Sequence, residues 1–194
     1  MRKLRSPLSE EVVRSLQLGE AVKLSGPAIT ARDEAHLHAP AEVKRGKMPF
    51  DLERGVLYHC GPVMRPEGDG WVAVAAGPTT SARMNSVEPE FIRTFRPAAI
   101  IGKGGMSRPT VEAMKECACV YLAFTGGAAA IGAEAITEVK GVLWLELGMA
   151  EAVWSLELFE LGPLIVAIDA HGNSMYEKVA EETERNLAAA KQRL

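Results

Sequence analysis

Four short apolar runs, each cut off by glycine or proline and followed by polar residues, limit what this chain can become. They are Trp71–Ala76 before Gly77-Pro78, Ala98–Ile101 before Gly102-Lys103-Gly104-Gly105, Val120–Phe124 before Thr125-Gly126-Gly127, and Leu164–Asp169 before Ala170-His171-Gly172. Runs of this length, apolar on successive residues and bounded by breakers, read as strands buried on both faces. Amphipathic segments lie between them. Val87, Phe91, Ile92 and Phe95 mark one helical face, Ser107 caps a second helix over Pro109–Lys115, and a third runs from Ser174 to about Arg193. In that last helix Val179, Thr183, Leu187 and Ala190 are expected on the inner face. Strands interleaved with helices make the fold class α/β, with a mixed sheet flanked by helices. The 194 residues carry no repeat and no low-complexity linker, and read as one domain over 1–194.

The remaining segments fill in the order. Ser9 to Leu16 is a helix capped by Ser9, and Ala21–Leu24 is a strand ended by Ser25-Gly26-Pro27. A helix starting near Thr30 is expected to stop at Pro40. Val56–His59 is a short strand, Val63-Met64 pairs back across the turn at Pro66–Gly70, and Val142–Leu145 and Ala152–Leu158 are separate strands.

Composition narrows the function. A net charge of −3 leaves no broad basic footprint for nucleic acid. No apolar run approaches the ~20 residues that span a bilayer. Met1–Pro7 is basic without the apolar core of a secretory signal, so a cytoplasmic location is expected. Three cysteines do not make a disulfide framework, and Cys60 lies far from Cys117-Ala118-Cys119. Nothing matches the close spacing of cluster ligands, and the three read as small buried hydrophobes. His36 and His38 lack a third and fourth ligand at workable spacing, so no metal site is expected. His59, inside an apolar strand, reads as a satisfied core histidine.

The chemistry sits where the strands end. Thr79-Thr80-Ser81 are poor helix filler, because their hydroxyls compete for backbone hydrogen bonds, but they suit a loop that grips an anion or caps the next helix. Arg83 follows with a planar fork matched to carboxylate or phosphate. Thr30–His36 is a second charged stretch, in which Arg32 and His36, and Asp33 and His36, share a helical face. Lys103 lies in a glycine loop between strand and helix, a geometry that holds anions without the Walker spacing. Three cations from three loops suit a small dianion with two carboxylates. No nucleophile elbow or dinucleotide fingerprint accompanies them, so this is half an active site.

Thr30–His36, Gly77–Met84, Ile101–Met106, Leu145–Met149 and Phe159–Asp169 together resemble the beta subunit of iron–sulfur class I fumarases and L(+)-tartrate dehydratases, in the family's order, from about Leu8 to Tyr176. The resemblance implies a swivelling β/β/α domain that closes over a catalytic alpha subunit in a hetero-oligomer. It implies a [4Fe-4S] cluster carried by that partner, with none bound by this chain alone. It further implies a C4 dicarboxylate substrate, either fumarate and L-malate or tartrate. Arg32, Arg83 and Lys103 would hold substrate carboxylates, with Thr80 and Ser81 beside them. Thr79 would accept the proton from carbon, and His36 with Asp33 would be the conventional acid/base candidates. Two departures are Leu37-His38-Ala39, where basic residues often follow, and Ala82, where glycine is common.

Overall fold

A computed structural model describes residues 1–191, with backbone alone at 188–190. Its strands are β1 (Arg2–Arg5), β2 (Ala21–Thr30), β3 (Val56–Tyr58), β4 (Val63–Glu67), β5 (Gly70–Ala75), β6 (Ala99–Gly102), β7 (Val120–Ala123), β8 (Ile136–Leu143) and β9 (Val153–Ile168). Its helices are α1 (Glu10–Arg14), α2 (Asp33–Lys44), α3 (Glu88–Phe95), α4 (Arg108–Glu116), α5 (Ala129–Glu134) and α6 (Met175–Lys191). Seven strands form one mixed sheet in the order β1-β2-β3-β6-β7-β9-β8, and β9 also pairs with β2, so the sheet closes on itself. β2, β3, β6 and β7 run parallel, and β9 runs antiparallel to both β2 and β7. β4 and β5 make a separate hairpin.

The period-two rule of strands explains the burial. Tyr58, Ile101, Val120 and Leu122 join one apolar cluster with Trp154 and Leu156. Leu57, Ile100 and Tyr121 point the other way, to a second cluster with Phe91, Ile92, Val111 and Met114 from the covering helices. Both faces of β3, β6 and β7 are therefore buried, as their uninterrupted apolar runs require.

Several boundaries differ from the sequence reading, each for a local reason. β2 continues past Ser25-Gly26-Pro27 through register shifts against β9. Gly26 sits at φ +100°, and a Cβ there would fall 2.7 Å from the Ser6 carbonyl oxygen. Ala152–Leu158 and Leu164–Asp169 belong to one strand, β9, because a bulge at Gly162-Pro163 absorbs the breakers without ending the ladder. Helix α2 runs through Pro40, which costs only the hydrogen bond its nitrogen would have given to the His36 carbonyl. The basic N-terminus is not a loose tail but strand β1, paired with β2. Trp71–Ala75 is half-exposed in the hairpin and does not enter the main sheet. Cys117 ends α4 and Ala118 turns at φ +50°, so the two cysteines precede β7 instead of lying along it. Val179 and Leu187, expected on an inner face, are 60% and 53% exposed, because α6 packs by its first turn, where Tyr176 meets Gly105 and Tyr121. The Ala190 side chain and Arg193 lie outside the described residues.

Gly132 shows how closely the hairpin is docked. A Cβ on it would lie 2.0 Å from the Ala76 carbonyl oxygen, the residue from which the Thr79 loop departs. Gly132→Ala should lower stability by about 1–3 kcal/mol, the usual cost of forcing backbone apart in a packed contact. Urea unfolding of the two forms measures this.

Candidate functional site

The carboxyl ends of β2, β3, β6 and β7 share one rim, because the four strands run parallel. Thr79 donates its N–H to the His59 carbonyl (2.7 Å), Lys103 donates to the Thr79 carbonyl (3.3 Å), and Ser81 donates to the Lys103 carbonyl (3.0 Å). The hydroxyl segment is thereby laced between the ends of β3 and β6, and Thr80 bridges to Lys103. Gly102 permits this approach, since a Cβ there would fall 2.0 Å from the Ser81 hydroxyl. Thr79 is half-buried and Thr80 exposed.

The three cations reach the same rim. Arg32 is the N-cap of α2, and its Nη2 lies 3.3 Å from Glu151 Oε1 and 3.6 Å from Asp33 Oδ2. Glu151 Oε2 accepts the Glu34 N–H at 3.1 Å, so this carboxylate also caps the helix in place of the missing N-cap side chain. The Arg32 guanidinium lies against Gly61, where a Cβ would come within 2.7 Å of it. Arg83 Nε donates to Asp33 Oδ1 at 3.0 Å. Burial opposes ionisation of Asp33, but that bond and both arginines hold its carboxyl below the usual value. Lys103 lies over Gly126. Among the described residues it is the one cation of the three without a carboxylate partner. The predicted Arg32, Asp33, Thr79, Thr80, Arg83 and Lys103 thus come from three loops to one surface.

His36 and Ser81 are placed differently. Both are fully buried beneath the rim, together with His59, Glu88 and Tyr121. His36 Nδ1 donates to the Arg32 carbonyl (2.7 Å), and its Nε2 lies 3.0 Å from Glu88 Oε2. His59 Nε2 lies 3.3 Å from the same oxygen. His59 Nδ1 meets Ser81 Oγ at 2.9 Å, and Tyr121 donates its hydroxyl to that Oγ, also at 2.9 Å. Burial by itself lowers both imidazole pKa values. For His36 the Glu88 carboxylate and the Arg32 carbonyl more than offset this and raise it; for His59 the Glu88 carboxylate does not, and it stays lowered. Burial likewise opposes ionisation of Glu88, yet the two histidines hold it far below the usual carboxylate range.

Sequence reasoning missed Glu88, Glu151 and Tyr121, which sit in an amphipathic helix, a loop and a buried strand with no motif to mark them. Glu88, seven residues after an anion loop and at a helix start, carried the only faint signal. His36, His59 and Glu88 also bring three possible metal-ligand atoms within 4.8 Å of one another. No fourth ligand joins them among the described residues, as a closed tetrahedral site would need. All three cysteines are free and buried. Cys60 lies in one apolar cluster, Cys117 and Cys119 in the other. Burial raises all three thiols, Cys60 to about 12, whereas ligation needs converging thiolates. An apolar cleft lined by Pro7, Ile29, Leu52, Val56 and Leu156 opens near the start of β3, away from these charges. Among the described residues no helix is long and apolar enough to cross a membrane.

The buried triad makes stability depend on pH with a definite sign. His36 holds its proton above the ordinary 6.5, so its contribution is complete below that pH and lost as pH rises through the raised value. His59 and Glu88 are depressed, so their contributions are complete above 6.5 and 4.5 respectively and lost as pH falls. Stability should therefore peak near pH 6.5 and decline on both sides, and Glu88→Gln should flatten the curve. Urea midpoints from about pH 4 to about pH 9 measure it.

Comparison with known proteins agrees with this geometry. The Fumarase C-terminus family model matches residues 2–179. A Methanocaldococcus jannaschii protein, provisionally named L(+)-tartrate dehydratase subunit beta, is 48% identical over 93% of each chain. The Escherichia coli L(+)-tartrate dehydratase subunit beta is 39% identical over 89% of this chain and 85% of its own. A Geobacillus stearothermophilus protein, provisionally named fumarate hydratase class I, is 38% identical over 97% of this chain, which spans 36% of that longer protein. With nearly the whole length matched, this chain belongs to the Fumarase C-terminus family.

Proposed function

We propose that the chain is the beta subunit of an iron–sulfur hydro-lyase that reversibly hydrates fumarate to L-malate, active only with an alpha subunit. The observation that carries this reading is the arrival of Arg32, Arg83 and Lys103 at the rim to which the Thr79 backbone is laced. Two arginines and a lysine match the two carboxylates of a C4 diacid, each end receiving charge-assisted hydrogen bonds. Lys103 is free to take one carboxylate, while Arg32 and Arg83 share their remaining N–H groups between substrate and the acids that orient them, Glu151 and Asp33.

Thr79 takes the proton from the substrate carbon in dehydration and returns it in hydration. An alcohol is a weak base, and the neighbouring cations favour its ionised form. Thr80, exposed beside it, orients the substrate. Asp33, held ionised between two arginines, fixes Arg83 in place. His36 and Ser81 act from below, since neither reaches the rim surface. The partner would carry a [4Fe-4S] cluster whose open iron supplies the Lewis acid, and a swivel of this domain would bring the two half-sites together. The cysteine geometry of this chain is consistent with the cluster lying elsewhere. The reaction would take place in the cytoplasm.

A second reading is favoured by a specific observation. Two relatives matched over nearly their full length carry the tartrate dehydratase name, which makes dehydration of L(+)-tartrate to oxaloacetate the alternative on the same residues.

The test is anaerobic reconstitution with the alpha subunit, assayed on fumarate, L-malate and L(+)-tartrate. Turnover is expected from the complex and from neither chain alone. Arg83→Ala should lower kcat/KM by about 10- to 100-fold, the worth of one charge-assisted bond. Thr79→Ala should lower kcat by about 10²–10⁴-fold with little change in KM. An inactive complex with an intact cluster overturns the reading, and turnover of tartrate alone moves it to the second.

A further inference from the structure

Beneath the rim the chain buries a carboxylate that the chemistry above does not touch. Glu88, at the first position of α3, has no solvent exposure and shares its Oε2 between two equally buried imidazoles. The contacts assign the ring protons, although the two Nε2 atoms meet Glu88 at ion-pair distance without the alignment of a hydrogen bond, and Glu88 Oε1 has no hydrogen-bond partner among the described residues. A carbonyl cannot donate, so the 2.7 Å contact to the Arg32 carbonyl puts a proton on His36 Nδ1. His36 Nε2, facing a carboxylate, carries a second, which makes the ring an imidazolium beside the Glu88 anion. Tyr121 donates to Ser81, Ser81 donates to His59 Nδ1, and the proton left on His59 Nε2 lies beside Glu88 Oε2, 3.3 Å from the nitrogen, outside hydrogen-bond alignment. The two ends of this chain of groups are informative. One is the backbone of Arg32; the other is the side chain of Ser81, between Thr79 and Arg83.

We propose, resting on the functional reading above, that Glu88 is a positioning residue which sets the spacing of the carboxylate clamp, holding the Arg32 loop through His36 and the Thr79–Arg83 loop through His59 and Ser81. These loops leave different strands, β2 and the β4–β5 hairpin, and no single covalent segment fixes their separation. One buried anion shared by two rings does. Phe91, stacked 4.4 Å from the His36 ring, keeps water from the pair, and low local polarity strengthens it. Gly102 belongs to the same device, because any side chain there would displace the Ser81 hydroxyl from His59.

The experiment uses the two-chain complex with histidine ring nitrogens labelled in this chain. In the wild type, nitrogen NMR at about pH 6.5, the ordinary imidazole value, should show His36 with both nitrogens predominantly protonated, and Glu88→Gln should return it to a neutral ring. In the same variant KM for the dicarboxylate should rise about tenfold and kcat/KM should fall about 100-fold, the scale of a misplaced clamp. A merely structural defect would lower the active fraction and leave KM alone. Ser81→Ala cuts one arm only and should raise KM severalfold, and it carries the kinetic test if Glu88→Gln does not fold. The proposal is overturned if a folded Glu88→Gln complex keeps its KM within about twofold, if His36 is neutral in the wild type, or if the complex holds one divalent metal per chain beyond the cluster iron. That last result would mean that the Nε2 atoms donate lone pairs to an ion. A wild-type complex inactive on every C4 acid would sink the functional reading alone. The protonation of His36, with the amide shifts of Arg32 and Ser81 in Glu88→Gln, would still decide whether Glu88 positions the loops.

Discussion

The backbone pairing of β9 is what the rest of the molecule depends on. Its sixteen residues pair with β8 and β2 along the first part and with β7 at the end, which joins the two sides of an otherwise open sheet. Once the sheet is closed, β3, β6 and β7 have no free edge and no wet face. Only apolar side chains are then tolerated along them, and polar chemistry is confined to the strand ends. The four parallel strands end at one rim, so the loops that follow them have to meet there. The gathering of Arg32, Arg83 and Lys103 at this rim is a consequence of that closure.

Electrostatics at the rim explains how two arginines can lie close together there. Arg32 and Arg83 are both tied to acids, Glu151 and Asp33, and Asp33 touches both. Uncompensated arginines this close would repel, and the carboxylates between them lower that cost while leaving donors free for a dianion. Below the rim the same problem is solved with a single carboxylate between two imidazoles. Above it water screens the charges; below it protons and hydrogen bonds have to account for every one.

Much of the fold could be read from the chain. The apolar runs ended by Gly77, Gly102 and Gly126 are the segments that lead into the rim, Ser9 caps α1 through the Val12 N–H, and α3 buries Phe91, Ile92 and Phe95 from the face that its periodicity marked. Breakers were overvalued where tertiary pairing absorbed them, as at Gly26-Pro27 and Gly162-Pro163. Pro40 shows the same inside a helix. The weakest inference was the inner face of α6, since an apolar stripe at helical spacing marks a surface that can be buried without naming what buries it.

The sequence by itself determined which residues alternate, where strands must stop, and that Arg32, Thr79, Arg83 and Lys103 each follow a strand, because these are consequences of local sterics and of the two periodicities. Only the tertiary structure decided that Arg2–Arg5 is a strand, that β9 is continuous, and that Glu88 lies between His36 and His59. It also decided that His36 and Ser81 are buried beneath the rim while Thr79 is half-exposed on it. The reason is physical: a buried charge is stabilised by whichever groups the closed sheet brings within hydrogen-bond reach, and those groups come from segments with no local relation to one another.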